Sequence, residues 1–140
     1  MPALYTAQAT ATGEGRSAGH VETSDGQVKV DLRLPKEMGG DGKGSNPEQL
    51  VSMGYAACFM GALRAVAGAK KLVLKDPTVT CRSTISKDGD DFSLSFEIDV
   101  TLPGVPTEDA EALVQAAHGV CPYSRAFKNT APSVAKLFAA

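Results

Sequence analysis

Residues 46–69 read NPEQLVSMGYAACFMGALRAVAGA, a stretch that predicts one long apolar helix. Asn46 is a suitable helix cap, and Pro47 fits the first turn because its fixed φ and missing N–H are tolerated there. The apolar part is about as long as the ~20 residues that a membrane span needs. Arg64 interrupts it, however, and much of the apolar character comes from alanine and glycine. Charge is expensive at the centre of a bilayer, so we interpret the stretch as a buried core helix.

Gly54, Gly61 and Gly68 recur at a constant spacing along this helix. Each glycine costs about 1 kcal/mol against alanine in a helix interior, so close approach of a second helix backbone is the expected compensation. Cys58 lies on or beside this stripe of small residues. It is either a small core residue, which is a common role for cysteine, or a reactive thiol.

Alternating polar and apolar residues predict strands before the helix. Residues 5–12 alternate, residues 15–23 do so more weakly, and residues 28–34 alternate again after the turn signal Asp25-Gly26. A glycine-rich loop then leads into the helix. The first third of the chain is therefore expected to be a small group of strands.

A second strand pair is predicted after the helix. Its first strand has one face formed by Val79, Cys81, Ser83 and Ile85. Residues 92–102 form the clearest half-buried strand of the chain. Thr107 is the predicted cap of a further helix, and a short helix after Pro122 and a strand near 132–138 follow. The apolar face of the Thr107 helix is Ala110, Leu113, Val114 and Ala117.

Strand pairs that alternate with helices, without a strict strand–helix repeat, predict an α+β fold. The 140 residues suit a single domain, residues 1–140. A formal net charge of −2 gives no indication of the basic surface that binds nucleic acid. The first residues lack the basic-then-apolar pattern of a signal peptide, so we expect a cytoplasmic protein whose cysteines are reduced.

Cys121 is predicted to lie where one helix ends and the next begins, because Pro122 disfavours helical geometry in the preceding residue. A helix stop with an incidental thiol explains the same position. Two such thiols also suit peroxide chemistry, in which one becomes a sulfenic acid and the other condenses with it.

The third thiol, Cys81, is interpreted as an inert core residue. His118 and Cys121 lack a second pair at ligand spacing, so no metal site is predicted.

A thiolate in an apolar site needs a cation nearby, and Arg16 lies in a stretch of small residues that can approach a site closely. Glu48 stands at the helix start, where its charge is favourable. Ten residues of straight helix, about 15 Å, separate Glu48 from Cys58. Either the helix breaks, or Glu48 serves the Cys58 of a partner subunit. Arg16 as a surface charge and Glu48 as a simple first-turn acid are equally open.

Three motifs carry a family resemblance: Asn46-Pro47-Glu48-Gln49-Leu50, Gly54-Tyr55-Ala56-Ala57-Cys58-Phe59 and Val120-Cys121-Pro122-Tyr123-Ser124. In this order and spacing they resemble the organic hydroperoxide resistance (Ohr) family, in the wider Ohr/OsmC superfamily. The resemblance covers essentially the whole chain. The residues around the first thiol look more like the Ohr branch than the OsmC branch.

The resemblance implies an intertwined homodimer in which antiparallel sheets wrap around two central helices, with two active sites at the subunit interface. It implies that Cys58 is the peroxidatic thiol and Cys121 the resolving thiol, and that Arg16 and Glu48 are catalytic. It also implies organic and fatty-acid hydroperoxides as substrates, with electrons from dihydrolipoyl groups on lipoylated proteins and no bound cofactor. The sequence also predicts an apolar substrate pocket formed by Leu50, Met53, Phe59 and Phe127.

Two other functions remain open. A redox-sensing or ligand-binding dimer would use the same dithiol without turnover, although a DNA-binding sensor lacks a basic recognition helix. A purely structural domain would contain incidental thiols.

Overall fold

The computed structural model describes residues 1–128 and 130–134. Strand pairs and helices are mixed along the chain, which confirms the predicted α+β class. In chain order the elements are β1 (Ala9–Gly13), β2 (Gly19–Thr23), β3 (Lys29–Asp31), a 3₁₀ turn (Lys36–Met38), α1 (Pro47–Ala69), β4 (Thr78–Asp88), β5 (Asp91–Thr101), α2 (Thr107–Val120), α3 (Pro122–Ala126) and β6 (Thr130–Val134). Residues 135–138 of the strand predicted near 132–138 lie outside the described residues.

The chain divides into two compact units, Met1–Leu50 and Val51–Ala140, and the boundary falls inside α1. The single domain therefore stays a prediction. In the first unit, β1, β2 and β3 form an antiparallel sheet in that order. The predicted turn at Asp25-Gly26 joins β2 to β3, with Gly26 at a φ of 74° that suits glycine.

The second unit contains a three-stranded sheet in the order β4-β5-β6. Strands β4 and β5 are antiparallel, as the sequence predicts, but β6 pairs with β5 in parallel. The sheet is therefore mixed, and its β6 edge departs from the antiparallel sheets that the family resemblance implies. The parallel pairing requires a long crossover, and α2 and α3 supply it between β5 and β6.

Helix α1 begins at Pro47, and Asn46 caps it as predicted, because Asn46 Oδ1 accepts a hydrogen bond from the Gln49 N–H at 2.9 Å. The helix is unbroken to Ala69. It is long and apolar enough to span a membrane by length and composition. One of its faces instead packs into the core of the second unit through Tyr55, Phe59, Ala62, Leu63 and Ala67.

Helix α2 covers this core with the predicted apolar face of Ala110, Leu113, Val114 and Ala117, all of them buried. The prediction of Thr107 as its cap was wrong. Pro106 occupies the cap position, Thr107 is the first helical residue, and no side chain caps the helix. Proline has no side-chain acceptor. The negative charges of Glu108 and Asp109 in the first turn stabilise the start of α2 through the helix dipole.

Candidate functional site

Cys58 and Cys121 lie together in the second unit, with their sulfurs 3.7 Å apart. Cys58 projects from the middle of α1 and is half-buried, whereas Cys121 is fully buried between the end of α2 and the start of α3. Both thiols are free. A disulfide bond is about 2.05 Å long, so a modest local movement joins the two sulfurs.

Burial is the largest influence on the Cys58 thiol and raises its pKa above the ordinary value. A hydrogen bond from the backbone N–H of Tyr123 opposes this effect by stabilising the thiolate. The neighbouring Cys121 raises the pKa of Cys58 further, first through the hydrogen bond between the two side chains and then through charge repulsion between the sulfurs. A reactive thiolate at neutral pH therefore needs an additional positive charge.

Tyr123 is held by a close contact with α1 that the sequence did not reveal. An ideal β-carbon at Gly54 would lie 2.6 Å from the Tyr123 hydroxyl, so only glycine leaves room for it. The predicted explanation of the glycine stripe, contact with another helix backbone, was thus wrong for Gly54. Gly61 and Gly68 differ, since a β-carbon at either position would meet nothing within 4 Å among the described residues.

Tyr55 is a second functional candidate that sequence reasoning missed. Its side chain is completely buried, and its hydroxyl lies 2.7 Å from both Ser124 Oγ and Thr130 Oγ1. Burial raises the pKa of Tyr55, so the phenol stays protonated and able to donate. Its ring also packs against three other aromatic rings, Phe96, Tyr123 and Phe127. The sequence signal that could have identified Tyr55 is its position one helical turn before Cys58.

Arg16 and Glu48 form an ion pair in the first unit. Arg16 lies in the loop between β1 and β2, and Glu48 is the second residue of α1. The guanidinium donates two hydrogen bonds, at 3.0 and 2.8 Å, one to each carboxylate oxygen. This hydrogen bonding is the main reason that the pKa of Glu48 is lowered and that of Arg16 raised. The pair is bidentate, which fixes the guanidinium plane. The catalytic roles of both residues stay predictions.

The four predicted pocket residues have different environments. Phe59 is completely buried in the core, and its part in an apolar substrate pocket stays a prediction. Met53 is 59% exposed on α1, and Phe127 is half-buried and stacks on Phe96 with ring centroids 4.5 Å apart. Leu50 is half-buried and belongs to the first unit.

Cys81 is half-buried on β4 and packs against the core. Its sulfur lies 3.9 Å from Ser83 Oγ, which also pairs with Ser52 Oγ at 2.7 Å. Burial is the main reason that the pKa of this thiol is raised. These contacts suit a packed thiol, and its inertness stays a prediction. Within residues 1–128 and 130–134, no group of three or more His, Cys, Asp or Glu side chains could hold a metal ion.

Comparison with known proteins assigns the chain to a family. The sequence profile described as OsmC-like protein matches residues 40–135, which is more than half of the chain. The chain belongs to this family. An organic hydroperoxide resistance protein of Xanthomonas axonopodis pv. citri is 44% identical over 125 residues, 88% of this chain and 87% of that protein. These matches confirm the resemblance to Ohr proteins within the Ohr/OsmC superfamily.

Solved structures of Ohr proteins have the same fold. An organic hydroperoxide resistance protein from Legionella pneumophila matches with a TM-score of 0.86 and 43% identity, covering 95% of this chain and 97% of that one. OhrB of Bacillus subtilis matches with a TM-score of 0.81 and 39% identity, covering 94% and 98%. The Ohr/OsmC fold is thus established for this chain.

Proposed function

We propose that the protein is a thiol-dependent peroxidase that reduces organic hydroperoxides to alcohols. The observation that supports this most strongly is the 3.7 Å separation of the Cys58 and Cys121 sulfurs. Membership of a family whose relatives are named for organic hydroperoxide resistance supports the substrate class. A thiol that can be oxidised beside a second thiol is what a two-cysteine peroxidase requires.

In the first step, the Cys58 thiolate attacks the distal oxygen of the hydroperoxide. The O–O bond breaks, the alkoxide takes a proton and leaves as the alcohol, and Cys58 becomes a sulfenic acid. Arg16 stabilises the thiolate and the charge that develops on the leaving oxygen. Glu48 orients Arg16 through the bidentate hydrogen bonds.

In the second step, the Cys121 thiol attacks the sulfenic sulfur. A disulfide forms between Cys58 and Cys121, and the hydroxyl leaves as water. An external dithiol of the dihydrolipoyl type then reduces the disulfide by thiol–disulfide exchange, which restores both thiols. A lipoylated protein would present this dithiol, and the peroxidase needs no bound cofactor.

We further propose that the working form is a homodimer in which Arg16 and Glu48 of one subunit serve Cys58 of the other. Ten residues of unbroken α1, about 15 Å, separate Glu48 from Cys58 within one chain. The open space beside Gly61 and Gly68, among the residues described, suits a second helix at this face.

The dimer also accounts for exposed apolar residues. Leu4 and Tyr5 at the start of the chain are almost fully exposed, and Met53 is exposed on α1. Burying such groups against a second copy would stabilise the dimer, because apolar surface would leave water. An interface that contains Met53 and Phe127 would supply an apolar pocket that favours organic peroxides. We also propose that the protein works in the cytoplasm.

A turnover assay tests the proposal. With dihydrolipoamide as reductant, the unaltered protein should reduce cumene hydroperoxide over many cycles and faster than hydrogen peroxide, while Cys58→Ser should be inactive. A reaction that stops after one equivalent of peroxide would instead indicate a redox sensor. Unchanged peroxide consumption by Cys58→Ser would indicate a structural role for the thiols.

A further inference from the structure

Side-chain polar atoms of α1 contact the segment 121–124 at two neighbouring places. Cys58 and Cys121 form one, at 3.7 Å, and the hydroxyls of Tyr55 and Ser124 form the other, at 2.7 Å. Tyr55 precedes Cys58 by one turn of α1, and Ser124 follows Cys121 by three residues. The hydroxyl contact therefore lies three residues from the pair of sulfurs along each segment.

The geometry of the Tyr55 hydroxyl fixes its hydrogen bonds. Its single proton is donated to Thr130 Oγ1, so Ser124 must donate its own proton to the phenolic oxygen. Tyr55 is completely buried and Ser124 nearly so. Buried hydroxyls are costly to leave unpaired, so this network holds the short helix α3 and the strand β6 against α1.

We propose that Tyr55 is a positioning residue for disulfide formation: its hydroxyl holds α3 so that Cys121 stays within reach of the Cys58 sulfenic acid. This inference rests on the proposed peroxidase function and adds a residue to its second step. The proposed role of Tyr55 is to position the thiol and not to react. It acts through Ser124 and the backbone of α3 on the position of the Cys121 sulfur.

The chemistry explains why position matters at this step. The Cys121 sulfur forms the new S–S bond, the S–O bond of the Cys58 sulfenic acid breaks, and the oxygen leaves as water with the thiol proton. No further oxidant or reductant enters. A competing reaction consumes the same sulfenic acid, because a second peroxide molecule oxidises it to the sulfinic acid. A displacement of about 1 Å can cost roughly 100-fold in such a reaction.

Three variants separate the hydroxyl network from general packing. Tyr55→Phe keeps the ring among its aromatic neighbours and removes the hydroxyl. Ser124→Ala removes the other half of the same contact and changes little volume. Thr130→Val is the matched control, because Tyr55 and Ser124 can still hydrogen-bond to each other when Thr130 no longer accepts.

The experiment mixes the reduced full-length protein rapidly with cumene hydroperoxide and follows both steps. Sulfenic acid formation is followed by a trapping reagent, and disulfide formation by mass spectrometry. We expect Tyr55→Phe and Ser124→Ala to form the sulfenic acid at the unaltered rate and the disulfide roughly 10- to 100-fold more slowly. Cys58 sulfinic acid should then accumulate at lower peroxide concentrations, whereas Thr130→Val should behave like the unaltered protein.

The possible results separate two failures. If the unaltered protein forms the disulfide and both variants form it equally fast, the positioning role is overturned and the peroxidase stands. The positioning role is also overturned if sulfenic acid formation and disulfide formation slow together in the variants, because a general loosening of the fold would then be the cause. If Tyr55→Phe does not fold, Ser124→Ala alone decides. An unaltered protein that forms no Cys58 sulfenic acid would overturn the proposed function and, with it, this inference.

Discussion

The hydroxyl of Tyr123 occupies the space that a side chain at Gly54 would need, since an ideal β-carbon there would lie 2.6 Å from the hydroxyl oxygen and 3.2 Å from Cζ. Alanine is the better helix former by about 1 kcal/mol, but overpacking costs about 1–3 kcal/mol. We therefore expect Gly54→Ala to destabilise the protein by up to about 2 kcal/mol and to slow disulfide formation. Urea unfolding and rapid mixing with peroxide measure the two effects.

Two controls accompany this variant. Gly119→Ala, on an exposed part of α2 where a β-carbon meets nothing within 4 Å among the described residues, should be neutral or stabilising by up to about 1 kcal/mol. Adding Tyr123→Phe to Gly54→Ala should restore part of the lost stability, because it removes the nearest atom. A Gly54→Ala protein with unchanged disulfide formation would show that the contact does not hold α3.

Replacing Arg16 should slow the first chemical step. Loss of one positioned charge in a reacting site typically costs about 100- to 1,000-fold, and we expect Arg16→Ala to fall in this range. Burial already raises the pKa of Cys58, and the variant also loses the positive charge that would stabilise the thiolate. The pH midpoint of the reaction of Cys58 with peroxide should therefore move upward. Arg16→Lys keeps the charge but not the bidentate geometry and is the matched control. Equal rates of reaction with peroxide and equal pH midpoints in Arg16→Ala and the unaltered protein would exclude the catalytic role of Arg16.

The Arg16–Glu48 pair should make stability depend on pH. The pKa of Glu48 is lowered in the folded state, chiefly by the hydrogen bonds from Arg16. A lowered carboxyl pKa stabilises the folded protein above the unfolded-state value, about 4.3, and this contribution is lost as the pH falls through the lower folded value. The stability advantage over Glu48→Gln should therefore be present at neutral pH and shrink below about pH 4. Unfolding by urea across this range measures it, and a constant difference would contradict the expectation.

Mixed dimers test whether one subunit completes the site of the other. Cys58→Ser and Arg16→Ala subunits should each be nearly inactive alone. After mixing and reassembly, about half of the dimers contain one of each, with one complete site, so about a quarter of the unaltered activity should return. Peroxidase assays and sedimentation follow the recovery. No recovery in verified mixed dimers would place Arg16 beside the Cys58 of its own chain.

Local features of the fold were predictable from the sequence because neighbouring residues determine them. Asn46 caps α1 through a hydrogen bond to a residue three positions later, and the apolar period of α2 identifies its buried face. Thr107 was misassigned because Pro106 holds the cap position. The sequence Pro-Thr looks the same whether threonine is the cap or the first residue of the helix.

Contacts between distant parts of the chain were not predictable. The parallel pairing of β6 with β5 leaves no periodic signal, and neither does the fit of the Tyr123 hydroxyl against Gly54. The motifs located Cys58 and Cys121, yet the hydrogen bond of Tyr55 to Ser124, 69 residues away, required the folded chain. Sequence periodicity describes which face is buried, not which partner covers it.

The most direct measurement is peptide mapping of the cysteines after the reduced protein meets one equivalent of cumene hydroperoxide. We expect one intramolecular disulfide joining Cys58 to Cys121, with Cys81 still a free thiol and one alcohol released per disulfide. Free thiols at both positions, or a disulfide that involves Cys81 instead, would contradict it.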